Sequence, residues 1–235
     1  EVFLNSEMQL EDLLDFDSDR IVIATGSTWN VDGRGNTLID GGTYSKDNLI
    51  SVDEFFKNRS EFESSFKGRK ILIYDDNGHY MAPTIAIDLA NAGAVVTLVC
   101  SFGYANEWGL NTEERVGINQ KIAKAGIKLI TSHSVSTFDK NKATISCVFS
   151  GFEKIMETEF FMPVTIRTPN SNLYYGLKNL EGNDSRLVNK SIYRIGDCEA
   201  PGLIANCIYS GHKLAREIDF SDEDRIALNR ERVSI

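Results

Sequence analysis

Apolar residues fall in three kinds of run along this chain. The first kind is continuous: Arg20-Ile21-Val22-Ile23-Ala24, Lys70-Ile71-Leu72-Ile73-Tyr74, Val95 to Cys100, Ile127 to Thr131 and Ser191 to Ile195. An unbroken apolar run stopped by a turn predicts a strand buried on both faces of a parallel sheet. The second kind has helical spacing. Ala82, Ile85, Ala86, Leu89 and Ala90 form one stripe, closed by Gly93. Leu203, Ile204, Cys207, Ile208, Gly211, Leu214, Ala215 and Ile218 form another within residues 200–219, with Pro201 expected in the first turn of that helix. Shorter helices are predicted over residues 7–15, Val52–Phe56, Thr112–Ala125 (ending at Gly126) and 172–180. The third kind is Ser134–Phe138, Ala143–Ser150 and Ile155–Val164, which are β-branched and aromatic and are separated by Asp139, Asn141 and Gly151. These predict a small antiparallel meander. Residues 27–48 read as a long loop and 221–235 as a charged C-terminal tail.

The strand–helix–strand run over 70–100 has the size of one βαβ unit. The fold class is therefore α/β with a small antiparallel meander. At 235 residues and 42% apolar content the chain has room for one or two cored domains. The net charge of −9 argues against a nucleic-acid surface, which needs clustered cations. No run approaches the length of a membrane span. The N-terminus lacks a secretory pattern and also lacks an initiator Met, so the sequence is expected to begin inside a longer protein. Cys100, Cys147, Cys198 and Cys207 show no C-x-x-C spacing. They read as free thiols in a reducing cytoplasm rather than as metal or cluster ligands, and no metal site is expected.

Three turns carry candidate chemistry. In a dinucleotide-binding βαβ unit the first turn is G-x-G-x-x-G, which lets backbone approach a pyrophosphate. Here that turn is Asp75-Asp76-Asn77-Gly78-His79-Tyr80, with one glycine and two carboxylates. Carboxylates beside a pyrophosphate at 4–6 Å cost on the order of a kcal/mol or more, so the unit reads as a degenerate Rossmann domain. The second turn is Ala24-Thr25-Gly26, small residues at the end of a strand where a ligand can lie close to backbone. The third is Gly196-Asp197, where Asp197 can accept a hydroxyl hydrogen bond and the helix start at Leu203-Ile204 can face a phosphate. No G-x-S-x-G, phosphate-loop lysine or H-E-x-x-H motif is present, and no catalytic residue is assigned.

Ala24-Thr25-Gly26-Ser27-Thr28-Trp29-Asn30-Val31-Asp32-Gly33 resembles the A-T-G-x-x-W-x-x-D-G segment of the trimethylamine, dimethylamine and histamine dehydrogenase family. Tyr74-Asp75-Asp76 with His79-Tyr80-Met81-Ala82-Pro83 is similar to that family's altered second nucleotide loop. Ile195 to Ala205, continuing through Gly211-His212 to Ile218, is similar to its closing segment. Arg167-Thr168-Pro169 departs from the Thr-Gly-Arg common before the short helix. The resemblance runs in order from about Asp19 to Asp219.

The resemblance implies a three-layer Rossmann-like FAD/NAD(P)-binding fold of the glutathione reductase type, incomplete at its N-terminus. Residues 1–65 and 165–220 would form a partial ADP- or FAD-binding domain, using Ala24, Thr25, Gly26, Gly196, Asp197, Leu203 and Ile204. Residues 66–164 would be a degenerate NAD(P)-binding-like domain. It further implies FMN and a 4Fe–4S cluster upstream of Glu1, oxidation of a small amine there, electron transfer to an electron-transferring flavoprotein, and a homodimer as full length. The alternatives are a portion of an NAD(P)H-dependent flavin oxidoreductase of the 2,4-dienoyl-CoA reductase type, with nicotinamide at the 75–81 turn, and a non-catalytic ADP-binding or structural module.

Overall fold

A computed structural model describes residues 1–219; the predicted tail at 221–235 lies outside the described residues. In chain order the elements are α1 (Leu10–Asp15), β1 (Arg20–Ile23), β2 (Ser27–Trp29), β3 (Thr43–Tyr44), α2 (Val52–Lys57), α3 (Arg59–Ser65), β4 (Lys70–Asp75), α4 (Met81–Asn91), β5 (Val95–Cys100), α5 (Arg115–Lys124), β6 (Lys128–Ile130), β7 (His133–Asp139), β8 (Lys142–Cys147), β9 (Glu153–Glu157), β10 (Phe160–Val164), β11 (Arg167–Pro169), α6 (Asn172–Leu180), β12 (Ser191–Arg194) and α7 (Ile204–Glu217). The chain is a mixed α/β protein with parallel sheets. Among the described residues no helix is long and apolar enough to cross a membrane.

The chain divides into two compact units, Glu1–Ser27 with Thr168–Ile235 and Thr28–Arg167. Residues 28–65, grouped with the first domain in the sequence reading, fall in the second unit. The reason is packing: Ile50, Val52 and Phe55 belong to one core cluster of that unit, and Leu38, Tyr44 and Leu49 pack on its other.

In the first unit β1 and β12 pair in parallel, Ile21 opposite Ile192 and Ile23 opposite Arg194. Their apolar side chains meet Leu14 of α1, Leu177 of α6, Leu187 and Cys198 in one core. α1 starts at Leu10, three residues later than its acidic composition suggests, where the Asp12 carboxylate accepts the Gln9 N–H at 2.7 Å.

In the second unit four parallel strands run in the order β10-β4-β5-β6. β4 explains its own sequence: Ile71 and Ile73 enter the cluster formed with α2, α4 and α5, whereas Leu72 and Tyr74 enter the cluster formed with β7 and β8. Both faces are buried, so alternation vanishes. The covering sheet has the order β3-β7-β8-β9, antiparallel except for the β3–β7 pair.

Three sequence expectations are corrected. Ile155–Val164 is not one meander strand. It breaks at Thr158-Glu159, and Phe160–Val164 becomes a parallel neighbour of β4, because the run Phe160-Phe161-Met162-Pro163-Val164 is apolar on both sides. Residues 27–48 contain the short strands β2 and β3. The helix expected from Thr112 starts at Arg115, since Glu113 takes a left-handed φ of 61° that no helix continues through. α3 escaped prediction, its surface being almost all polar, with Arg59 bonded to Glu63 at 2.7 Å.

Candidate functional site

The carboxyl ends of β1 and β12 lie side by side, and this brings the predicted residues together. Ile195 N–H continues the parallel ladder to Ile23 O at 3.0 Å, so Ala24-Thr25-Gly26 and Gly196-Asp197 leave the strand pair at the same edge. Both glycines need their lack of a Cβ. Gly26 has φ +73° and Gly196 φ +64°, conformations that cost an L-residue roughly 1–2 kcal/mol. No heavy atom lies within 4 Å of where a Gly26 Cβ would point, whereas one at Gly196 would touch Cys207 at 3.7 Å. Gly26→Val is therefore expected to cost about 1–2 kcal/mol through backbone strain alone. A denaturant titration that shows no loss would remove the reason for glycine at this edge.

Asp197 is held by several donors. Ser27 Oγ donates to Oδ2 at 3.0 Å, and Gly202 N–H and Cys207 Sγ donate to Oδ1 at 3.0 and 3.2 Å. Gly196 N–H donates to Ser210 Oγ at 2.9 Å, tying the turn to α7. α7 is capped at Leu203, whose N–H donates to Asn206 Oδ1 at 2.9 Å. By helix geometry the N–H groups of Ile204 and Ala205 lack intrahelical acceptors, whereas those of Asn206 and Cys207 donate to Leu203 O at 2.9 and 3.3 Å. Pro201 is corrected here: it lies in the extended lead-in, three residues before the helix, not in its first turn. The apolar stripe of α7 is also not a core stripe among the described residues. None of its side chains is buried, and Ile204 is 70% and Ile208 56% exposed.

Residues that the sequence did not single out complete this edge. Asn170 N–H donates to Gly26 O at 2.9 Å, its Nδ2 donates to Thr25 O at 3.2 Å, and Thr25 Oγ1 donates to Asn170 O. Ser27 directly follows the first turn, whereas Asn170 and Ser210 act from distant segments that no local pattern links to it. The only hint in the sequence is Pro169-Asn170 immediately before a helix.

The 75–81 turn in the second unit is built differently from the expectation of two carboxylates facing a ligand. Both Asp75 and Asp76 are fully buried and turn inward to opposite duties. Asp75 Oδ1 accepts the N–H of Asn77 at 3.1 Å and of Gly78 at 2.8 Å, closing the turn before α4. Its Oδ2 is buried with no hydrogen-bond partner. Burial pushes the Asp75 carboxyl up to about 7, against the opposing pull of those two N–H groups. Asp76 holds a loop. Its Oδ2 accepts Thr37 N–H and its Oδ1 Thr37 Oγ1, both at 2.8 Å, Ser101 Oγ also donates to Oδ1, and its main-chain O accepts Asn36 Nδ2 at 2.8 Å. A Cβ on Gly35 would lie 2.2 Å from Asp76 Oδ2. Residues 35–37 thus lie against the end of β4, where a dinucleotide-binding unit presents its phosphate loop.

The two tryptophans differ. Trp29 packs on the core of the second unit with Arg167 over its ring at 5.3 Å. Trp108 is half-exposed and stacks on His79 at 5.8 Å. All four cysteines are free thiols. Burial pushes Cys100 up to about 12. Among the described residues no group of three or more His, Cys, Asp or Glu side chains is arranged to hold a metal ion.

No protein-family model matches the chain. It is 26% identical over 238 residues to dimethylamine dehydrogenase of Hyphomicrobium sp. (strain x), a match covering 92% of this chain and 31% of that protein. Its structure is similar to that of histamine dehydrogenase from Rhizobium sp. 4-9, with a TM-score of 0.91 and 28% identity, covering 98% of this chain and 34% of that one. It is also similar to 6-hydroxypseudooxynicotine amine oxidase from Pseudomonas geniculata N1, with a TM-score of 0.84 and 26% identity, covering 93% and 32%. The chain thus spans about a third of the length of these relatives. In sequence and in fold, the chain is similar over nearly its whole length to dimethylamine dehydrogenase, histamine dehydrogenase and this amine oxidase.

Proposed function

We propose that this chain is the nucleotide-binding portion of an amine dehydrogenase, and that the carboxyl edge of β1 and β12 holds an ADP moiety, either as ADP or as the corresponding half of FAD. The observation that carries the reading is the match to histamine dehydrogenase over 98% of the chain at a TM-score of 0.91. The local geometry fits such a ligand. The space open beside Gly26 admits it close to backbone. Asp197, already oriented by Ser27, Gly202 and Cys207, is placed to accept a ribose hydroxyl. The exposed start of α7 offers the main-chain N–H groups of Ile204 and Ala205 to a phosphate, the Leu203 N–H being taken by Asn206 Oδ1. On this reading the first unit is part of a glutathione reductase-like nucleotide-binding fold.

In the whole enzyme, FMN and a 4Fe–4S cluster would supply the amine oxidation and pass electrons to an electron-transferring flavoprotein. The residues of this chain bind and orient a nucleotide and carry no step of that chemistry. The dienoyl-CoA reductase reading places nicotinamide at the 75–81 turn. It is disfavoured by the 35–37 loop bound to Asp76 and by the packing of Gly78, whose Cβ would lie 2.8 Å from the Phe102 ring. The deciding experiment is to denature the purified full-length protein and identify the nucleotide released. ADP is expected. FAD release with NADPH-driven turnover would overturn the proposal in favour of the reductase reading.

A further inference from the structure

Away from both turns, the second unit has a cavity of about 290 Å³. It lies where the β7–β8 turn, the end of β9 and the start of β4 meet, with Lys70, Lys140 and Lys142 on its walls. Among the described residues none of these three ammonium groups makes an ion pair. Of the two acids at the rim, Glu159 is already committed. Its Oε2 accepts Arg69 Nε at 2.5 Å and its Oε1 accepts the Lys70 main-chain N–H at 3.0 Å, and these bonds hold its carboxyl below the usual range. Glu157 stands opposite Lys142 in the β8–β9 register. Asp139 stands opposite Lys142 in the β7–β8 register, so the remaining balance is three cations against two acids, in a chain whose net charge is −9.

The backbone makes the wall firm. Lys140 and Asn141 both take left-handed φ values, 46° and 62°, between the paired residues Asp139 and Lys142. This is a two-residue hairpin turn, which fixes the backbone from which Lys140 and Lys142 project. Thr158 N–H donates to Asn141 O at 2.9 Å and closes the rim. Lysine binds phosphate as a compact point charge, and several around one concavity suit an anion bearing more than one charge. The volume is that of a small molecule's polar head rather than of a whole cofactor.

We propose that this cavity is a binding site for a small phosphate-bearing polyanion, separate from the nucleotide edge of the first unit. The test uses inorganic pyrophosphate as the probe, titrated calorimetrically into the purified protein at low and at moderate salt. Wild type is compared with a Lys140→Ala/Lys142→Ala variant and with a control that removes two lysines of α5, Lys121→Ala/Lys124→Ala. Both pairs are exposed, and circular dichroism verifies the fold. The expected result is binding that weakens with salt and falls about tenfold in the first variant, with the control unchanged. Three results would each overturn the proposal: no binding by wild type at millimolar pyrophosphate, equal binding by the Lys140/Lys142 variant, which would place the anion elsewhere, or an equal loss in the control, which would reduce the effect to net charge.

Discussion

Replacing Asp75 with Asn is expected to abolish most of the fall in stability that the wild type shows as pH rises from about 4 to 7. The sign follows from burial. In the unfolded chain an Asp titrates near 3.9, whereas in the folded chain burial holds Asp75 up to about 7. Between these values the unfolded state has released the proton and the folded state has kept it. Folding therefore loses roughly 1.4 kcal/mol per pH unit, of order 4 kcal/mol in all, and levels off above the folded value. The introduced amide would still accept the Asn77 and Gly78 N–H bonds through its oxygen. Its NH2 group would replace the unpartnered Oδ2 and cost about 1–3 kcal/mol as a buried, unsatisfied donor. The variant should be the less stable protein near pH 4, and the two should cross before about pH 7. His79, whose pKa burial lowers, contributes with the opposite sign, in stability present above its unfolded pKa and lost as pH falls, but does so equally in both proteins. Denaturant midpoints across this range that run parallel would show that Asp75 does not hold a proton at neutral pH.

Asp76→Ala should destabilise the second unit by about 3 kcal/mol, because Ser101 and the Thr37 N–H and hydroxyl lose their acceptor at a buried strand end. Its second effect is local. With Thr37 released, the Asn36 side-chain bond to the main chain of residue 76 and the packing of Leu38 are what still tie the loop down, and limited proteolysis should cut within residues 33–40 before the parallel sheet unfolds. A loss under about 1 kcal/mol, or an unchanged cleavage pattern, would mean that the loop is held by packing of Leu38 and Tyr44 rather than by Asp76.

These two acids also show what the sequence made legible. That the 75–81 turn lacks the glycines of a dinucleotide loop is plain from its residues, and so is the βαβ unit around it. Where the carboxylates point is not. Asp75 is drawn back by N–H groups two and three residues on, but Asp76 is drawn by Thr37, 39 positions earlier, and no window of sequence connects the two. The same limit explains Ile155–Val164. Its composition suits either sheet, and only the register of Phe161 on Leu72 decides that its second half joins β4. The carboxyl edge of β1 and β12 is legible from its two strand ends, whereas Asn170 and Ser210, which help to fix those ends, reach it from separate segments. α7 had the strongest helical pattern, and it formed. Periodicity reports which side of a helix is apolar and is silent on what covers it, so the exposure of Ile204 and Ile208 was not legible.

The pairing of β1 with β12 carries a consequence for the birth of the protein. Ile21 meets Ile192 only after about 170 further residues have been made, which at 5–20 residues per second takes roughly 10–30 s on the ribosome. Through that interval β12 is missing from beside Ile21 and Ile23, while β4, α4 and β5 can assemble from 31 contiguous residues (70–100). The second unit can therefore assemble its βαβ core while the β1–β12 pair is still incomplete, so that pair is a late contact of high sequence separation.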